Sequence, residues 1–165
     1  RYLDPASVLM FGKTNVLTLQ ELQSRCDVKW ENYAAKLQIE SRVLGDLVKN
    51  HVLPAAQRYQ GVLLDNVLKL IKVFGDDAES MTKEDKLMIT KIARHNDEIL
   101  RLTDEMAALR KVANHTEDER EKAILFHDTI VPKMEAIREH VDELELIVDD
   151  ELWTLPKYRE MLFIR

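Results

Sequence analysis

The longest apolar pattern in the chain runs from Thr18 to Phe74 and keeps helical spacing throughout. Its first half sets Cys26, Trp30, Tyr33, Leu37, Leu44 and Leu47 in steps of four and three, the repeat of one helix face packed on another. Two polar residues, Glu40 and His51, interrupt that face. Pro54 then removes a backbone donor and crowds the preceding turn. Beyond it the stripe resumes as Ala56, Tyr59, Leu63, Val67, Leu70 and Phe74. No turn residue adjoins Pro54, so the pattern predicts a kink there and not a hairpin.

Gly75-Asp76-Asp77 ends this rod, and Thr82 is expected to cap the next. That helix carries Met88, Ile92, His95, Ile99, Leu102, Met106, Leu109 and Ala113 at the same spacing, and Asn114-His115 breaks it. Thr116 with Glu119 reads as a capping box for a fourth long helix. Its stripe is Ala123, His127, Ile130, Met134, Ile137, Val141, Leu144 and Val148, with a second kink expected at Pro132. Before the long rod, Asp4-Pro5 opens a short helix that Gly12 is expected to close, and Thr18 with Glu21 makes a first capping box. After the fourth helix comes LWTLPKYREMLFIR, a tail with a short helix expected from Pro156.

These elements predict an all-α fold: an antiparallel bundle of long helices, kinked at Pro54 and Pro132, with a short N-terminal helix and a C-terminal tail. Residues 1–165 read as one helical domain. At about 1.5 Å per residue, Thr18 to Phe74 spans roughly 85 Å, while each later helix spans about 50 Å. Folded back, the later pair is expected to cover only about residues 42–74. Trp30, Tyr33 and Leu37 would then project as a docking surface. Trp153, Leu155, Pro156, Tyr158, Leu162 and Phe163 crowd the tail and suit an interface anchor as well as they suit folding back onto the bundle.

Composition supports helices: 33% of the residues are charged, with only four Gly and four Pro. The net charge of −6 argues against nucleic acid as a partner. Lys133 to Glu151 holds two basic and eight acidic residues, which equals that net charge; a solvated face is the plainer reading and docking on a basic surface the sharper one. Cys26 is the single cysteine, so no internal disulfide forms and a reducing compartment fits. No apolar run reaches the roughly 18 residues of a membrane span. The chain begins at Arg1, and it is expected to be a segment of something longer.

Little in the pattern points to catalysis. Di-iron bundles use Glu three residues before His, whereas Val48, Ile92, Val112, Ile124 and Ile137 precede these five histidines. His51, His95 and His127 lie on apolar faces of separate helices, where hydrogen-bonded core groups are commoner than metal ligands. Gly12-Lys13-Thr14 resembles the end of a phosphate loop, but Ser7 stands where that loop needs Gly. Cys26 on the stripe reads as packing, not as a nucleophile. Glu40, if buried, needs a partner from another helix.

Two long blocks carry a resemblance. YAAKLQIESRVLGDLVKNHVLPAAQRYQ, with the earlier ELQSR, and VDELELIVDDELWTLPKYREMLF are similar to the C-terminal helical region of type III glutamine synthetases. The similarity runs from about Tyr2 to Phe163, and Met81–Glu121 is its least distinctive part. It implies a cytoplasmic parent enzyme that joins ammonia to glutamate with ATP and magnesium or manganese, through a γ-glutamyl phosphate. It also implies large homo-oligomeric rings, with the metal ligands and nucleotide-binding residues upstream in a β-rich catalytic domain. None of those motifs occurs here, so no catalytic, cofactor-binding or metal residue is carried over. This segment is then expected to be inactive alone, to pack on its own catalytic domain or a neighbouring subunit, and to support oligomer assembly. The alternative is a free-standing adaptor or regulatory module that binds a partner helix along the open stripe at Trp30.

Overall fold

The computed structural model describes residues Leu3–Leu162, which form helices and no strand. In chain order these are α1 (Pro5–Lys13), α2 (Leu19–Leu47), α3 (Leu53–Phe74), α4 (Ala78–Met81), α5 (Lys83–Asn114), α6 (Glu119–Leu125), α7 (Val131–Ile147) and α8 (Tyr158–Met161). Five-residue π-helical turns join α2 to α3 (Val48–Val52) and α6 to α7 (Phe126–Ile130), and a 3-10 turn, Gly75–Asp77, joins α3 to α4. The all-α expectation holds.

The chain passes both expected kink sites in helical conformation. In each case a π turn ends two residues before the proline, at Val52 before Pro54 and at Ile130 before Pro132. A π turn widens the backbone by one residue, which relieves the clash between a proline ring and the carbonyl four residues back.

Local chemistry sets most ends. The Thr18 N–H donates to Glu21 Oε2 at 2.8 Å and the Glu21 N–H to Thr18 Oγ1 at 3.3 Å, so the first capping box forms as read. The Thr18 N–H is the first cause that holds the Glu21 carboxyl below its usual pKa. Gly75, at φ 58, closes α3 in a conformation that suits glycine. Three expectations are corrected. Gly12 lies inside α1, which ends at Lys13, and the left-handed residue is Asn15 at φ 53. Asp118, not Thr116, caps α6 by accepting the Glu121 N–H at 2.7 Å, because a carboxylate sits two residues nearer the first turn. Thr82 is fully buried and donates to the Ala78 carbonyl at 2.8 Å, so its hydroxyl serves the turn behind it.

Contacts divide the chain into two compact units, residues 1–41 with 108–132 and residues 42–107 with 133–165. The first is centred on Leu22, Ala34, Leu37, Ala123, Phe126 and Ile130, all buried. In the second, Gln60 meets the Ile89 carbonyl and Asn66 meets Asp85, so α3 and α5 run antiparallel. Lys133 meets Glu105 and His95 meets His140, so α5 and α7 do as well. Val48, Val52, Ala55, Ala56, Ile92, Ile99, Met106, Ile137 and Leu144 fill its core.

Candidate functional site

The surface expected at the start of the long rod has local cover. Residues 108–132 pack with residues 1–41, so the prediction that Trp30, Tyr33 and Leu37 would project unsheathed is corrected. Leu37 is 8% exposed and belongs to the core. Trp30 is half-buried and Tyr33 is 37% exposed. Together with Ala123, Ile124, His127 and Asp128 they line an open cavity of about 310 Å³. Tyr33 Oη lies 2.7 Å from His127 Nδ1 and donates to it when the imidazole carries its proton on Nε2. The bond fixes the phenol at the rim of the cavity.

The tail folds back at its start and opens at its end. Trp153 is 8% exposed, Leu155 half-buried, and Pro156 and Leu162 exposed. Tyr158 opens α8, and Phe163 lies outside the described residues. Lys157 makes the anchor. Its buried Nζ donates to the Glu145 carbonyl at 2.8 Å and the Val148 carbonyl at 2.9 Å, pairs with Asp150 at 2.6 Å and lies 5.9 Å from the Trp153 ring centre. An ammonium at the C-terminal end of α7 sits where the helix dipole and its terminal carbonyls favour a cation. Thr154 Oγ1 and His51 Nδ1 are 3.4 Å apart beside it.

Histidines and charges settle differently from their sequence pattern. Glu40 is exposed and pairs with Lys36 one turn back at 3.7 Å, so it is no buried charge awaiting a partner. Ser41 occupies the buried position beside it. Cys26 is half-buried. His95 meets His140, a partner the sequence reading missed, with Nδ1 atoms 3.1 Å apart and rings 65° apart. Among the described residues no group of three or more His, Cys, Asp or Glu converges to hold a metal.

Burial, and then the facing His140, hold His95 below the usual imidazole pKa; Arg94 and Lys91 act the same way, while Glu143 opposes them. The unfolded chain therefore binds this proton more readily than the folded one. Stability present above about pH 6.5 should fall as the medium is acidified through that value. Urea midpoints measured between neutral and mildly acidic pH should decline, and His95→Gln should flatten the decline. An unchanged slope in that variant would contradict the assignment.

Residues 1–71 match the family model for the glutamine synthetase C-terminal domain. A glutamine synthetase of Bacteroides fragilis strain YCH46 is 42% identical over 165 residues, 99% of this chain and 23% of that protein. The type-3 glutamine synthetase of Dictyostelium discoideum is 28% identical over 160 residues, 96% of this chain and 22% of that protein. One from Butyrivibrio fibrisolvens is 20% identical over 162 residues. This all-helical chain is similar to glutamine synthetases and spans less than a quarter of the relatives it matches. The resemblance to the C-terminal helical region of a type III glutamine synthetase is borne out.

Proposed function

We propose that the chain is the non-catalytic C-terminal helical part of a glutamate–ammonia ligase, and that it packs on its own catalytic domain or a neighbouring subunit to support ring assembly in the cytoplasm. The reading is carried by coverage: the match takes in nearly all of this chain and under a quarter of the relative. ATP and magnesium or manganese would then be handled by the remaining three quarters, and no step is assigned to residues here. The docking surface is the exposed part of the two clusters: Tyr33 with the half-buried Trp30, and Pro156 and Leu162 with the half-buried Leu155. Leu37 and Trp153 back those clusters from inside. Tyr158 and Phe163 extend the tail cluster in sequence.

The test is made on the whole ligase. Deleting this segment is expected to dissolve the rings and lower activity with them. Tyr33→Asp with Leu162→Asp, which spares the core, should weaken assembly by about tenfold or more, about 1.4 kcal/mol. Intact rings and full activity in both proteins would defeat the proposal.

A further inference from the structure

Helix α3 buries one face and leaves another bare. Ala56, Leu63 and Val67 point into the core. A second apolar row, Leu64, Leu68 and Ile71, is spaced four and three along the same helix and stays 45%, 63% and 43% exposed. Gly61 heads the row, and no atom lies within 4 Å of where its Cβ would sit. Isolated exposed leucines are ordinary, but a row in register is a packing surface without its mate.

We propose that this row is a contact to a second copy of the same chain, with α3 lying antiparallel on α3 about a two-fold axis at Leu68. Charge along the edge of the row selects this occupant. Asp65, Lys69 and Lys72 run down one side. A two-fold arrangement brings the same edge of each helix together in reverse order. Positions symmetric about Leu68 then face each other, and Asp65 of one copy comes beside Lys72 of the other, twice over, while the two Lys69 side chains flank the axis further from the seam. A parallel two-fold pairing would set this edge against the opposite edge of the row, where Leu63, Val67 and Leu70 carry no charge to meet Asp65 or the lysines. Within one chain Asp65 and Lys69 are 3.8 Å apart and both about three-quarters exposed, so little holds them from re-pairing. Gly61 at the end of the row lets the two helices approach closely.

This surface is separate from Tyr33 and Leu162, so either can fail without the other. The decisive experiment places one thiol at the axis. In a Cys26→Ser background, Leu68→Cys is expected to give a disulfide-linked dimer on oxidation, several-fold more than Val73→Cys, which is 72% exposed on another side of α3. Gly61→Cys sets two thiols about 21 Å apart in this geometry, beyond disulfide reach, and should not link. Asp65→Lys should weaken Leu68→Cys linking, and adding Lys72→Asp should restore it. Linking no better than at Val73, or equal linking at Gly61, would overturn the proposal. So would failure of the second charge change to restore it, including the case where another segment of a longer protein covers the row.

Discussion

Phe126→Ala is expected to cost about 3–5 kcal/mol of folding stability, while His127→Ala one residue on should cost under about 1 kcal/mol. Phe126 is fully buried in the first unit, and its removal leaves a cavity among Ala123, Ile130 and their neighbours that rigid helices fill only in part. His127 is exposed and contributes one hydrogen bond, to Tyr33. A domain of this size holds only about 5–15 kcal/mol in total, so the first substitution removes a large share. Denaturant unfolding followed by far-UV circular dichroism reads both. Comparable losses, or a larger loss at His127, would show that the helix packs in the register read from sequence and not in the one described here.

That register is where reading from sequence stopped short. The long helices, the first capping box and the glycine that closes α3 were legible because periodicity, Thr18-x-x-Glu21 and Gly75 are local signals. The facing position within each seven-residue step was not. Between Ala123 and Ile130 either 126 or 127 continues a helical stripe, and the four-then-three count chose His127. Between Leu37 and Leu44 the same count chose Glu40, whereas the core takes Ser41. Small residues such as Ala34, Ser41 and Gly45 carry no hydrophobic signal, yet they let helices close. A Cβ added at Gly45 would meet the Thr103 and Met106 side chains at ordinary contact range, so the helices pass close there. The π turns before Pro54 and Pro132 shift the phase again, and no propensity scale announces them.

The candidate surface divides in the same way. Trp30 and Tyr33 were legible as large aromatics at core spacing, but which helix covers them depends on where α6 begins. Asp118 sets that point, not Thr116. The row Leu64–Leu68–Ile71 lies beside the buried stripe of the same helix, and spacing alone does not say which of two neighbouring apolar rows is covered. His140 escaped as the partner of His95 for a different reason: pairing across helices is tertiary information.

Lys157→Met is expected to destabilise the tail by about 1.5–3 kcal/mol, since it keeps the aliphatic stem but strips two carbonyls of a charged donor in a buried setting. Glu145 lies in the last turn of α7 and Val148 just follows it, where helix carbonyls outnumber the backbone donors that follow. Asp150→Asn should cost far less, within about 1 kcal/mol, because the Asp150 side chain is half-exposed and also pairs with Arg159. The contrast separates the two roles of the ammonium: helix-end donor and ion-pair partner. Trp153 lies against Lys157 and reports on it, so the measurement is tryptophan emission through a denaturant titration in a Trp30→Phe background. Lys157→Met should release Trp153 to water before the helices melt, and Asp150→Asn should leave one coincident transition. If Asp150→Asn proves the costlier change, the ion pair and not the helix end holds the tail.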